Sequence, residues 1–339
     1  MRKFIVLIVL LLGVLFVIIR FTEVENILQT LQRANPLFLV LALLLQAAWF
    51  FVLGWTFKSI YALLGLKASL TKLTMIAAAG IFVNIVTPSA GVGGLAIFIS
   101  EGRNHKLPPG KITVASILYI LLDYAAFLCI LPLGMIALLR RNHLGAGEIT
   151  AAVILLVIAT VLAFLFYLGY RSTRALGEAL AKIARLINLI IRPFIHREYL
   201  SEARAHSFAS EISDGLGALP EKPRSLLLPF VLSLATKVLL MGILICSFLS
   251  FAVPFTAGTV LGGFAIGYLF LIVSPTPSGI GIVEGVMALA LGSLGVNFSH
   301  AVVITLAYRG MTFWLPLAIG AVAFRVLQLK EAKSQEAIT

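Results

Sequence analysis

Six solidly apolar stretches punctuate the chain, at Phe4–Ile19, Pro36–Phe57, Ile112–Leu139, Ile149–Tyr170, Leu226–Phe251 and Ser299–Phe324. A bilayer core of about 30 Å takes roughly 20 such residues as a helix. A transmembrane barrel instead needs short alternating segments, which are not seen. Two further apolar stretches, Leu70–Ser100 and Phe255–Val296, are interrupted. The first contains Thr87-Pro88-Ser89-Ala90-Gly91-Val92-Gly93-Gly94, the second Pro275-Thr276-Pro277-Ser278-Gly279-Ile280-Gly281-Ile282-Val283-Glu284. Proline removes a ladder donor and glycine leaves the backbone unrestrained, so neither motif continues a helix smoothly. In lipid a broken backbone persists only where protein or a polar cavity satisfies it, and a matched pair of breaks points to a transporter's binding site.

Composition agrees, with 60% hydrophobic and 12% charged residues and a mean hydropathy of +1.07. A net charge of +12 raises the question of nucleic acid, and the placement of the charge answers it. Twenty of the 26 lysines and arginines fall on one proposed side, from Arg2 and Lys3 through Arg171–Arg224 to Lys333. Four (Arg20, Arg33, Arg140, Arg141) fall on the other, and Lys237 and Arg309 lie within spans. This is the positive-inside pattern of a plasma-membrane protein with both termini cytoplasmic, not a nucleic-acid binder. The basic, apolar start at Met1–Ile19 lacks a small-residue cleavage site and reads as an uncleaved first helix. Cys129 and Cys246 both lie in apolar spans and read as small core residues.

If each broken segment enters and leaves on one side, the charges close into two units of span, span, broken hairpin, span. Residues 1–139 form the first, with a re-entrant hairpin at 70–100 opening to the cytoplasm. Residues 140–330 form the second, inverted, with a hairpin at 255–296 opening outward, and 331–339 are a polar tail. The fold class is thus an all-α polytopic membrane protein with inverted repeats, about six full spans and two re-entrant hairpins. If the broken segments cross fully, it has eight or more helices. The connector 171–225 starts amphipathically, with Leu176, Leu180, Ile183, Ile187 and Ile190 on one face and Arg174, Lys182, Arg185 and Arg192 around it. It reads either as a helix on anionic headgroups or as a loop that merely holds orientation.

An ionised side chain at mid-bilayer costs roughly 2.5–3.5 kcal/mol even on an insertion scale, so each needs a reason. Asp123, Lys237, Glu284 and Arg309 qualify. Two acids and two bases permit buried pairing; alternatively some meet a charged substrate or a coupling proton. Glu284 follows a break, where free amides and the helix dipole favour a carboxylate. Its counterpart is less clear, since Glu101 falls at the far end of the first half-helix, near the cytoplasmic surface. Half-helices starting near Gly93 and Gly281 present N-termini suited to an anion such as a lipid phosphate. Asn84, Thr87, Ser89, Thr276 and Ser278 either add neutral hydrogen bonds to such a ligand or cap the breaks. Trp49, Trp55 and Trp314 read as interfacial or packing aromatics.

The five histidines have no metal-ligand spacing, and no catalytic triad, phosphate loop or dinucleotide fingerprint in a βαβ context is found. The expectation is a non-enzyme without cofactor or metal.

The two broken motifs, with Tyr308-Arg309 and Thr312-Phe313-Trp314-Leu315-Pro316, resemble the flippase-like family named after the transmembrane region of lysylphosphatidylglycerol synthases, over roughly Thr30 to Leu327. The resemblance implies movement of a phospholipid or other phosphate-bearing lipid between leaflets, with Tyr308 added to the site. Those enzymes carry a soluble C-terminal aminoacyl-transferase domain, whereas this chain ends at Thr339, so lysyl-lipid synthesis is not assigned. Membrane lipids with anionic headgroups, a lipid-modifying enzyme and further copies of the chain are the partners expected. The other readings are a secondary transporter of a small amphiphilic or anionic solute, and a non-transporting accessory to a lipid-modifying enzyme.

Overall fold

The structure, a computed structural model, describes residues 32, 34–87, 92–104, 107–141, 145–191, 201–219, 223–274 and 276–336. The expected first span at Phe4–Ile19 lies outside them, as do Ser89, Arg192 and the end of the polar tail. Among the described residues the chain is α-helical throughout, a polytopic membrane protein.

The first half contains α1 (Pro36–Leu63), α2 (Leu70–Val86), α3 (Val92–Asn104) and α4 (Pro109–Leu139). After α5 (Ala146–Arg171) come α6 (Thr173–Ile191) and α7 (Glu202–Leu216). The second half continues with α8 (Leu227–Ser250), α9 (Ala257–Val273), α10 (Ile282–Ser293), α11 (Phe298–Arg309) and α12 (Leu315–Glu336). Helix starts follow local chemistry. Asn35 accepts the Leu37 amide at 3.0 Å before a first-turn proline, and Ser69 accepts that of Lys72 at 3.3 Å. Thr256 and Thr259 form a reciprocal capping box.

Five stretches are long and apolar enough to cross a membrane: Pro36–Leu63, Pro109–Leu139, Ala146–Arg171, Arg224–Ser250 and Phe298–Leu329. Their outward faces are apolar, as at Leu44 and Phe51 on α1 or Val157 and Phe164 on α5. Cys129 belongs to such a face. It is exposed, so the expectation of two core cysteines holds for Cys246 alone.

The sixth span is not one uniform helix. A π-turn at Gly310–Trp314 joins α11 to α12, with the Leu315 amide reaching back to the Gly310 carbonyl. Pro316 has no amide to offer the ladder at this point, which is why the regular register yields here.

The bundle core pairs elements across the halves. Helices α1 and α8 pack against each other and run antiparallel: Asn35 donates its amide to Ser250 O at 2.8 Å, and Leu45 lies against Gly242. That register sets Trp49 across from Lys237. Helix α4 packs on α9, and α12 packs on α2. Both contacts are made at a glycine. A Cβ at Gly134 would lie 2.3 Å from Ala265 Cβ, and one at Gly320 would lie 2.5 Å from Ala78 O. Helices this close have no room for a side chain at either position.

Each broken segment folds as an antiparallel pair. Gly80 meets the main chain of Gly94 across the first break. Across the second, Gly267 faces Met287 and Gly263 faces Leu291. The return helix α10 has 12 residues, about 18 Å of helix, well short of a 30 Å core.

The connector is more built than the amphipathic reading expects. Leu176, Ala181 and Ala184 of α6 are buried against α7, while Ile183 is exposed; the side chains of Ile187 and Ile190 lie outside the description. Helix α7 in turn sits on α4, where a Cβ at Gly110 would lie 2.0 Å from Glu211 O. The α6 face thus packs largely on protein, with Arg174 and Lys182 outward.

Candidate functional site

The four intramembrane charges meet in two clusters on either arm of the α9–α10 hairpin, the first buried and the second buried at Arg309 with Glu284 half-buried. In the first, the Lys237 ammonium donates to Asp123 Oδ1 and to Tyr268 Oη at 2.5 Å. Tyr268 donates to Asp123 Oδ2 at 2.8 Å, closing a triangle in which both carboxylate oxygens are satisfied. Lys237 is 1% exposed and Asp123 7%. The triangle joins the halves, since Asp123 stands on α4 while Lys237 and Tyr268 stand on α8 and α9. An uncompensated charge here would cost several kcal/mol, so removing one partner is far worse than never having had the pair.

The second cluster is built around the turn at Pro277–Gly279. Ser278 has φ 49°, and Gly279 and Gly281 have φ 69° and 80°. Only glycine adopts this region freely, so Ser278 is held there by its neighbours. Arg309 donates through Nη2 to the Ser278 carbonyl at 3.1 Å and through Nε to Glu284 Oε1. The other carboxylate oxygen accepts the Gly281 amide at 2.7 Å. The guanidinium lies 4.4 Å from the Phe313 ring centroid, a cation–π contact in a desolvated setting. Thr276 completes the turn: its hydroxyl donates to Ile280 O at 3.1 Å and lies 2.9 Å from Ser274 Oγ.

The N-terminus of α10 therefore already holds an anion, the chain's own Glu284. The groups expected to receive a phosphate there, Gly281 N–H and Arg309, are bound to that carboxylate. Only the Asp123 pair joins the halves; the Glu284 pair lies within the second. Tyr308 is buried beside Arg309 in the apolar core.

At the first break, neutral groups hold the described residues on either side. Asn84 Oδ1 accepts the Gly94 amide at 2.6 Å, and Thr87 donates to Val83 O at 2.6 Å, a C-terminal cap. Gly93 stands in the first turn of α3. Asn84 and Gly94 line a recess of about 160 Å³ with Trp49, Phe57, Ser116 and Tyr119. Glu101, near the end of α3, is 6% exposed with the Lys72 ammonium at 3.5 Å. Beside this region Gln46 Nε2, Gln46 Oε1 and Trp49 Nε1 are buried with no partner among the described residues. No group of histidines, cysteines or acids among the described residues has the makings of a metal site.

Sequence reasoning did not single out Tyr268 or the π-turn, and met Phe313 only inside the motif that carries the resemblance. Tyr268 sits in the run Phe264-Ala265-Ile266-Gly267-Tyr268-Leu269-Phe270, where a tyrosine passes for packing. No sequence pattern signals it: Tyr268 meets Asp123 only once α9 lies against α4.

Together these features define a multi-pass α-helical membrane protein with paired charges buried beside a broken helix. The chain belongs to the family described as the lysylphosphatidylglycerol synthase TM region, which matches residues 4–320. A UPF0104 membrane protein of Methanocaldococcus jannaschii is 23% identical over 329 residues, covering 95% of this chain and 94% of the relative. One of Archaeoglobus fulgidus is 24% identical over 340 residues, covering 96% and 97%.

Proposed function

We propose that this chain moves a phosphate-bearing lipid between membrane leaflets, and that the lipid phosphate exchanges with the Glu284 carboxylate on Arg309 and the α10 N-terminus. One observation carries the reading: a carboxylate already sits, through two oxygens, on a guanidinium and a helix-terminal amide. That donor set is the one a phosphate oxygen would use. An internal anion keeps Arg309 compensated while no lipid is bound, and its displacement leaves Glu284 to take up a proton or a headgroup amine.

The architecture suits the role. Two like-placed helices, α1 and α8, run antiparallel, and each half's last helix packs on the other's hairpin, which supports a reading as inverted repeats. The short α10 supports a re-entrant hairpin rather than two crossing helices. Unpartnered Gln46 and Trp49 groups near the first break support a polar route between the halves. In this reading the protein is a translocator rather than an enzyme, set in the plasma membrane with basic ends inside and anionic-headgroup lipids as partners.

The test is leaflet accessibility of labelled anionic phospholipid in proteoliposomes. Wild type moves the lipid, and Glu284→Gln and Arg309→Ala each slow it at least tenfold. Unchanged movement in both removes the assignment. The 160 Å³ recess at Asn84, small and free of charge, favours a second reading, transport of a small amphiphile. Stabilisation by such a solute without lipid movement would support it.

A further inference from the structure

A second recess lies at the other end of the α4–α9 contact, and nothing in the exchange at Arg309 uses it. It has a volume of about 450 Å³ and is lined by Leu133, Ile136, Arg140, Arg141, Gly258 and Thr259, among others. Arg140 and Arg141 are exposed, and neither has a carboxylate partner among the described residues. They are two of the four basic residues on the side that the charge pattern assigns to the outside, where arginine opposes orientation and is not needed for it. Arg141 is laid against the α10–α11 loop: a Cβ at Gly295 would lie 3.2 Å from its Nη1.

The opposite wall is the first turn of α9, where the Thr256 hydroxyl accepts the Thr259 amide at 3.2 Å, leaving the Ala257 and Gly258 amides without a helical partner by position. Gly258 has no side chain of its own and is half-buried, with Ala137 Cβ and Thr256 Oγ1 each 3.6 Å from where its Cβ would stand. Leu133, Ile136 and Leu139 are exposed apolar side chains just below the arginines on α4, so the recess is continuous with a lipid-facing surface. Two exposed guanidinium groups, a helix start with two amides unpartnered by position and an apolar approach at one interface match an anionic phosphodiester carried on acyl chains.

We propose that this recess is a docking site for the phosphate of an anionic phospholipid, a holding station at the outer membrane face. It rests on the lipid reading given above for the substrate class but not for the binding itself. A soluble phosphate shares the headgroup chemistry, and the two sources separate by the contribution of the acyl chains.

The experiment is native mass spectrometry of the full chain in detergent, titrated with dioleoylphosphatidylglycerol, dioleoylphosphatidylcholine or glycerol phosphate. Wild type is expected to retain one phosphatidylglycerol at least tenfold better than the R140Q/R141Q double variant and at least tenfold better than phosphatidylcholine. Gly258→Leu fills the recess while keeping both charges, and is expected to lose the same binding. Glycerol phosphate at millimolar concentration is expected not to displace the lipid. Equal lipid retention in wild type and R140Q/R141Q overturns the site. Loss in R140Q/R141Q with full retention in Gly258→Leu overturns the recess in favour of general interfacial charge. Displacement by glycerol phosphate overturns the lipid as ligand. A wild type that binds here yet moves no lipid contradicts the translocation reading and leaves the site standing.

Discussion

Arg309 donates to the main-chain carbonyl of Ser278 across 3.1 Å, tying the end of α11 to a non-glycine residue in left-handed backbone. The same guanidinium holds Glu284, which holds the Gly281 amide. A turn that the local sequence alone would leave unsettled is thus fixed by a side chain from the next helix. Left-handed backbone at a non-glycine residue costs about 1–3 kcal/mol and persists where surroundings over-determine it.

Relieving that strain is expected to stabilise the fold. Ser278→Gly keeps the carbonyl that Arg309 uses and raises thermal stability in detergent by up to about 1 kcal/mol. Gly279→Ala acts oppositely, because its Cβ would fall 2.4 Å from Val283 Cγ2 at φ 69°. A lower melting temperature for Ser278→Gly than for wild type would contradict this account of the turn.

The Asp123–Lys237 pair predicts strong coupling. Asp123→Asn or Lys237→Met alone is expected to cost about 3–5 kcal/mol, since each strands a buried partner. The double variant is expected to recover much of that loss. Thermal or denaturant unfolding of the four proteins forms the cycle, and purely additive losses would mean the triangle with Tyr268 does not join the halves.

Gly134 and Gly320 make equivalent close contacts, with α9 and α2 respectively. Leucine at either site must push two helices apart, for an expected loss of about 1–3 kcal/mol or more. Loss at one position only, measured by unfolding, would contradict the exchange of last helices between halves.

The hairpin reading is checked by single cysteines replacing Thr256 and Asn297, which flank α9 and α10 and are exposed. With Cys129 and Cys246 replaced, both positions are expected to react with a membrane-impermeant maleimide from the same side. Labelling from opposite sides would show that the segment crosses.

Much of this arrangement was legible in the residues. The spans, the two breaks and the four intramembrane charges follow from proline, glycine and the cost of charge in lipid. Who pairs with whom did not follow. Asp123 and Arg309 hold like places in the two halves, yet one reaches across to Lys237 and the other stays with Glu284, because packing of α4 on α8 decides the first. Tyr268 was hidden for the same reason: its role exists only once α4 lies beside it. The π-turn left a faint trace in Pro316, which a uniform apolar run obscured. The Glu101–Lys72 pair was not legible either, because it depends on how α3 folds back on α2.

The most direct measurement compares wild type, Glu284→Gln and Arg309→Ala in two assays, anionic phospholipid affinity and its movement between leaflets. If a lipid phosphate takes the place of the Glu284 carboxylate, Glu284→Gln binds the lipid more tightly while moving it at least tenfold more slowly. Arg309→Ala then loses both. Unchanged affinity and unchanged movement in Glu284→Gln would contradict the exchange.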